Sequence, residues 1–141
     1  MVVSDTSIKN NITMSIVHVH FHSNLIKKTI HHAVNVTSPE AELFIIRCGI
    51  NQTIQIPNVA HIIIITNAMH VVYCIFNSSI HPYQHQSIAI LKELREFFNK
   101  DSLNSIEFWD YSSNDNWLFY SLVDKETKEF NLTLLLPCKS S

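Results

Sequence analysis

Two polar residues, Glu42 and Asn67, occupy positions where the neighbouring sequence predicts a buried or ligand-facing side chain. Asn67 follows HIIIIT, and four consecutive isoleucines (residues 62–65) without polar alternation are typical of a strand covered on both faces. Ligands and chemistry collect at the carboxyl ends of such strands in open α/β sheets. Glu42 lies near the start of an inward-facing helical stripe, which is unusual for a carboxylate, although the positive end of the helix would also favour it.

Histidines raise a second possibility, a zinc site, since zinc accepts imidazole ligands. His18, His20 and His22 would project from one face of a strand, with His31 near His18 on the next strand. Alternate residues of a strand are roughly 7 Å apart, so three in a row rarely converge on one ion without a fourth ligand. We therefore interpret this group as an exposed polar face of a sheet. Four further histidines are interpreted as helix caps or surface residues, namely His61, His70, His81 and His85.

A β-hairpin is predicted before the first helix. Residues 12–21 and residues 27–36 each alternate between apolar and polar side chains. A tight loop at residues 24–25 would place Val19 beside Ile30, so that the two strands largely share one apolar and one polar face. Residues 1–4, MVVS, predict a short preceding strand.

The helical signals are clearest in the middle of the chain. Thr37 offers an N-cap hydroxyl before Pro39, and the helix should run to about Ile50. Gly49 lies on the same face as Glu42 and would allow that face to approach a sheet closely. After Asn67 the spacing becomes helical, with one face formed by Ala68, Val71, Val72 and Ile75.

The second half of the chain predicts a helix over residues 84–99, a strand over 104–111 and a last helix over 117–129. The stripe of the first of these helices would be Ile88, Leu91, Leu94 and Phe98. Strands and helices in this order predict an α/β fold: a mixed five-stranded sheet, with strands 1–3 antiparallel, then parallel β-α-β units and helices on both faces. Residues 1–130 would form this domain and residues 131–141 a C-terminal tail.

The composition limits the classes of partner. A formal charge of -2 gives no overall basic surface, so a polyanion would have to be bound locally. Gly49 is the one glycine, which excludes glycine-rich phosphate loops. No apolar run is long enough to span a membrane and no signal peptide is evident, so we expect a cytoplasmic or nuclear protein. The three cysteines lack CxxC spacing, and we expect reduced thiols.

Five blocks of sequence, in this order, resemble type 1 ribonuclease H: VVSDTS, SPEAELFIIRCGI, HIIIITNAMHVV, IEFWDYSS and VDKETK. They cover nearly the whole chain. The AEL in a capped helix and the strand that ends in a Thr-polar-small triplet are most similar to the ribonuclease H domains attached to reverse transcriptases of non-LTR retrotransposons. The resemblance implies a ribonuclease H-like fold, endonucleolytic hydrolysis of the RNA strand of RNA/DNA hybrids, and a place beside reverse transcriptase in a larger polyprotein. We expect the domain itself to be a monomer.

For the active site, the resemblance implies four carboxylates that hold two Mg²⁺ or Mn²⁺ ions for in-line displacement at phosphate. Matched by block, Asp5, Glu42 and Asp124 stand at three of these positions, and Asn67 stands at the fourth. Unit charges about 4 Å apart interact by about 4 kcal/mol at an effective dielectric constant of about 20. Because the amide lacks the charge, we expect metal binding or catalysis to be weakened by orders of magnitude, leaving activity poor or absent.

Other departures agree with this expectation. Thr6 replaces the glycine that usually follows the first aspartate, and residues 111–117 lack the usual loop histidine. The short first strand suggests a fragment of a longer polyprotein or a degenerate copy. Asp110 is a nearby carboxylate that could replace the missing charge. Two alternatives stay open, an inert retroelement remnant and a non-catalytic module that binds hybrids through Lys9, Lys27, Lys28 or Arg47.

Overall fold

The structure of the protein is a computed structural model, and it describes residues 1–76 and 84–111. Three strands open the chain: β1 (Val2–Lys9), β2 (Ile12–Phe21) and β3 (Asn24–Val34). They are followed by α1 (Ser38–Ile54), β4 (His61–Thr66), α2 (Met69–Phe76), α3 (Gln84–Lys100) and β5 (Ser105–Asp110). The predicted last helix, with Asp124, and the predicted tail over residues 131–141 lie outside the described residues.

The five strands form one sheet in the order β3-β2-β1-β4-β5. β1 pairs with β2, and β2 with β3, in antiparallel fashion, whereas β1 and β4 and then β4 and β5 are parallel. This is the mixed five-stranded α/β sheet that the sequence predicts. In the part of the chain described here, no helix is long and apolar enough to cross a membrane.

The three described helices pack on one face of the sheet and bury a common apolar core with it. Gly49 makes the closest approach: a Cβ atom there would lie 2.5 Å from Cγ1 of Val2 and 2.8 Å from Cγ2 of Val17. The prediction that this glycine lets α1 lie close to the sheet is therefore confirmed. Thr37 caps the helix as predicted, with its hydroxyl accepting from the Glu40 N–H at 3.4 Å, but α1 continues one turn past Ile50.

The other face of the sheet is also buried in its centre, around Val3, Met14, Ile16 and Ile65. His18 and His20 lie on this face and are only 5% and 7% exposed, with ring centroids 6.0 Å apart. The prediction of an exposed polar face is therefore wrong for these two residues. Because β2 is an inner strand with both faces covered, its polar alternation does not mark a solvent face. Burial, together with neighbouring His18, lowers the pKa of His20.

The hairpin between β2 and β3 forms with a different register from the predicted one. His22 and Ser23 both adopt positive φ, 52° and 66°, as tight two-residue hairpin turns require. The chain therefore reverses two residues earlier than predicted, and Ile30 pairs with Ile16 instead of Val19. The resulting pair places both isoleucine side chains on the second sheet face.

Helix α3 buries a different stripe from the predicted one. Its buried residues are Ser87, Ile90, Leu94 and Phe97, whereas Ile88 is 55% and Phe98 39% exposed. The helix packs against both α1 and α2, so its inward face is turned by about one residue. On the α1 side, Arg47 Nε lies 3.5 Å from Glu93 Oε1, so Glu93 links two helices instead of facing solvent.

Candidate functional site

A pocket of about 280 Å³ lies just beyond the carboxyl end of β4 and beside the middle of β1, next to the start of α1 and α2. It is lined by Thr6, Ser38, Pro39, Glu42, Asn67, Ala68, His70 and Val71. The structure therefore brings together Glu42 and Asn67, two of the four predicted site residues, although they are 25 positions apart in the chain. Their shared pocket agrees with the expectation that chemistry collects where parallel strands end.

Glu42 is held against the sheet by the way α1 begins. Thr37 and Pro39 fix the first turn, which places Glu42 on the inward side of the helix, where it is 4% exposed. The hydroxyl and the backbone N–H of Thr6 both donate to its carboxylate. Burial nevertheless raises the pKa of Glu42 to about 7 from its ordinary 4.5, against the opposing effect of the two Thr6 bonds. Its Oε2 atom is buried and has no hydrogen-bond partner among the described residues.

Thr6 connects Glu42 to the sheet. Its hydroxyl oxygen lies 2.9 Å from Ser15 Oγ on the neighbouring strand β2. When Glu42 is ionised its carboxylate can only accept, so in that state the Thr6 hydroxyl donates to Glu42 and accepts from Ser15. The sequence marked Thr6 only as a departure from glycine. Thr6 follows Val2 and Ser4 in alternation, so its side chain lies on the sheet face towards α1. This alternation is the sequence feature that could have predicted its contact with the helix.

Asn67 lies just beyond β4 and is exposed. The buried Thr66 turns the chain there, because its hydroxyl accepts from the Ala68 N–H at 3.1 Å. On the neighbouring strand, Val3 pairs with Ile65 in parallel register. Continuing that register by two residues brings Asp5 level with Asn67.

Asp5 is buried, at 4% exposure, but it is not among the residues that line the pocket. It follows Val3 in alternation, so its side chain projects towards the sheet face opposite Thr6. Asp110 pairs with Thr66 at the end of β5, is exposed and does not line the pocket either. Asp124 lies outside the described residues. Asp5 is therefore adjacent in sequence to the pocket-lining Thr6 but has its side chain on the other sheet face, and neither Asp5 nor Asp110 lines the pocket.

His70 is exposed, as predicted for a cap or surface residue, and it also lines the pocket. It lies in the first turn of α2, three residues after Asn67, which precedes the helix. Of the other histidines, His61 contacts Ser105 and Glu107 on β5. Within residues 1–76 and 84–111, no group of three His, Cys, Asp or Glu side chains is placed to hold a metal.

No protein-family model and no curated protein matches the sequence. Solved structures do match. An N-terminal RNase H domain from Mycobacterium tuberculosis, fused to maltose-binding protein, gives a TM-score of 0.64 at 14% identity over 88% of this chain and 93% of that chain. LC11-RNase H1, isolated from compost and solved with an RNA/DNA hybrid, gives 0.62 at 11% identity over 92% and 97%.

A third match is the foamy viral protease-reverse transcriptase in complex with an RNA/DNA hybrid, with a TM-score of 0.59 at 14% identity. It covers 94% of this chain but 19% of the viral one. At such low identity the agreement concerns the fold, and it extends over nearly the whole of this chain. Sheet order, strand directions and structural similarity together show that the chain has the ribonuclease H fold.

Proposed function

We propose that the domain binds RNA/DNA hybrids and is a ribonuclease H-type endonuclease for their RNA strand, with a hydrolytic activity that Asn67 leaves weak or absent. The observation that carries the proposal is the pocket in which Glu42 and Asn67 meet, just beyond the carboxyl end of the parallel strand β4. Two structures of similar fold were solved with an RNA/DNA hybrid, which supports the same substrate class here.

The residues of the pocket fit a divalent cation. Glu42 Oε2 is a buried oxygen without a partner among the described residues, and Asn67 contributes an amide that can supply a neutral oxygen. Mg²⁺ and Mn²⁺ favour oxygen ligands of this kind. We propose Asp5 and Asp124 as the further ligands. The two bound ions would activate water and stabilise the leaving oxygen.

The charge of the pocket supports the proposed loss of activity. Glu42 is the one carboxylate among the described lining residues, and Asn67 adds none. A site with so little negative charge binds a pair of dications weakly, because each missing charge removes an attraction of about 4 kcal/mol at 4 Å and an effective dielectric constant of about 20. Thr6 acts as a positioning residue, since it donates two hydrogen bonds to Glu42.

Of the proposed hybrid contacts, Arg47 is the least suitable. Its guanidinium contacts Glu93 at 3.5 Å and Gln86 at 3.3 Å and so serves the α1–α3 interface. Lys9 and Lys27 are exposed. We also propose that the chain is an RNase H unit of a larger polyprotein with reverse transcriptase, of the kind found in non-LTR retrotransposons. The similar foamy viral chain, which contains a protease and a reverse transcriptase, supports such a context.

The test compares the native protein with Asn67→Asp and with the double variant Asp5→Asn plus Asn67→Asp, each incubated with a labelled RNA/DNA hybrid in Mg²⁺ and in Mn²⁺. We expect cleavage by Asn67→Asp, no cleavage by the double variant and little or none by the native chain. Native cleavage equal to that of Asn67→Asp would refute the impairment. If all three proteins are folded and silent and none binds the hybrid, the proposed function is wrong.

A further inference from the structure

The pocket beyond the end of β4 and beside β1 contains a nitrogen donor as well as oxygen donors. His70 lines it together with Glu42 and Asn67. These three side chains offer a carboxylate oxygen, an amide oxygen and an imidazole nitrogen, which is a different donor set from four carboxylates. Of these groups, Glu42 Oε2 is buried without a hydrogen-bond partner in the described part of the chain.

Two parts of the fold position the three side chains: β1, through Thr6, and the turn from β4 into α2. Thr6 donates to Glu42 from the sheet, which leaves the unpartnered oxygen for another ligand. Asn67 just before α2 and His70 in its first turn both line the pocket, and both residues are exposed. The pocket volume of about 280 Å³ is slightly below the roughly 300–1,000 Å³ of usual small-molecule sites. It suits a hydrated ion better than an organic ligand.

The donor set selects among divalent ions. Mg²⁺ requires hard oxygen ligands, keeps much of its water and gains most from several carboxylates. Imidazole suits zinc and its neighbours in the first transition row, and the affinity of a given nitrogen and oxygen site rises from Mn²⁺ through Co²⁺ to Cu²⁺. With one carboxylate and one imidazole nitrogen, this pocket should bind Mg²⁺ more weakly than a site of four carboxylates does. It should bind the later transition metals more tightly.

We propose that the pocket binds a single transition-metal ion through Glu42, Asn67 and His70, in preference to Mg²⁺. The inference deepens the proposed function, since it concerns the same pocket, but it is tested on the metal alone and without nucleic acid. A protein that binds no hybrid can still satisfy it. His70 is the residue that sets the metal preference, and three ligands leave coordination positions for water.

The experiment titrates the metal-free full chain with Co²⁺ and follows the visible absorption bands that a bound cobalt ion shows. Zn²⁺, Mn²⁺ and Mg²⁺ are then added as competitors. We expect Zn²⁺ at micromolar concentration to displace the cobalt, whereas millimolar Mg²⁺ leaves it bound. His70→Ala should weaken cobalt binding at least ten-fold, and Glu42→Gln by a similar factor or more.

Matched controls separate this site from the other histidines. His32→Ala removes an exposed imidazole on β3 and should leave the titration unchanged. If circular dichroism shows that His70→Ala is unfolded, His70→Gln is titrated in its place and should lose the same binding. Equal affinity of the native and His70 variants, displacement by Mg²⁺ and Zn²⁺ at similar concentrations, or the absence of cobalt bands would each overturn the proposal.

Discussion

Glu42 lines the pocket, but its burial there lowers the stability of the fold when the carboxyl ionises. Burial raises the pKa of its carboxyl to about 7 from 4.5. An acid with a raised folded-state pKa destabilises the fold when it ionises. The penalty is absent below about pH 4, grows as the pH rises through the unfolded value and is complete above about pH 7. At about 1.4 kcal/mol per pH unit, its full size is on the order of 3 kcal/mol.

We therefore predict that Glu42→Gln raises the free energy of unfolding by about 1–3 kcal/mol at pH 8, measured by urea denaturation in the presence of a chelator. The difference should vanish at pH 4, where the native carboxyl is protonated in both states. Glu40→Gln, a substitution in the first turn of the same helix, serves as the matched control. A variant that is less stable than the native protein at pH 8 would contradict the prediction.

Thr6 should be coupled energetically to Glu42, because its hydroxyl donates to the carboxylate. Thr6→Val retains the shape and removes the donor. We expect it to lower stability by about 1–2 kcal/mol at pH 8, as for hydrogen bonds to charged groups. In a Glu42→Gln background the loss should shrink by about 1 kcal/mol, as a double-mutant cycle can measure. Additive losses would show that the bond contributes nothing.

The predicted site residues differ in how far sequence alone could place them. The position of Glu42 in an inward stripe and of Asn67 after an isoleucine run depends on local periodicity, and both are found in one pocket. His70 was missed as a pocket-lining residue because its place beside the pocket depends on how α2 docks against α1. Whether Asp5 and Asp124 complete the site stays a prediction, since Asp5 does not line the pocket and Asp124 is not described.

At the scale of elements, Gly49 controls how α1 lies on the sheet. A methyl group at this position would meet the β-branched side chains of Val2 and Val17 at 2.5 and 2.8 Å, and both valines are fixed in paired strands. Alanine is the better helix former by about 1 kcal/mol, but overpacking a close contact typically costs about 1–3 kcal/mol, and two contacts below 3.0 Å favour the upper part of that range.

We predict a net destabilisation of about 1–2 kcal/mol for Gly49→Ala, seen as a lower midpoint of urea unfolding. Val2→Ala in the same chain should recover part of the loss, because it removes the atom nearest to the added methyl group. Asn51→Ala, at an exposed position of the same helix, should change stability by less than about 0.5 kcal/mol. A Gly49→Ala variant as stable as the native protein would show that α1 can move away freely.

The spacing of apolar residues predicted which strands and helices form and in what order. It did not predict how these elements align with one another. The β2–β3 register depends on left-handed conformations at His22 and Ser23, which neither residue type announces. The buried face of α3 depends on its packing against two other helices. In both cases the deciding contacts are between elements, so local patterns could predict each element but not its exact pairing or rotation.

On the scale of the whole molecule, the fold was predicted from the order of elements, and solved structures of the same fold share only 10–14% identity with this chain. Such a sheet is compatible with very different sequences, because apolar periodicity and turn positions suffice to define it. The charge pattern is more specific to this chain. With a formal charge of -2, the protein has no general attraction for a polyanion, so the proposed hybrid binding would depend on where single basic residues lie.

Strand register decides which lysine lies near the pocket. Lys9 ends β1, three residues beyond the pocket-lining Thr6, although strand alternation places its side chain on the same sheet face as Asp5. Lys27 pairs with Val19, and Val19 pairs with Val2 at the start of β1. Lys27 therefore lies at the opposite end of the sheet along the strand direction. Both lysines are exposed, and they differ mainly in this position. They therefore form a matched pair for testing whether the pocket end of the sheet is the hybrid-binding side.

We predict that Lys9→Glu weakens binding of an RNA/DNA hybrid several-fold, whereas Lys27→Glu changes it little. Loss of one phosphate contact should also reduce the slope of log K against log salt by about 0.9. Fluorescence anisotropy with a labelled hybrid between 50 and 300 mM salt measures both quantities. Because the two variants carry the same net charge, a non-specific electrostatic effect would weaken both equally, and equal weakening would place hybrid binding elsewhere than at the pocket end of the sheet.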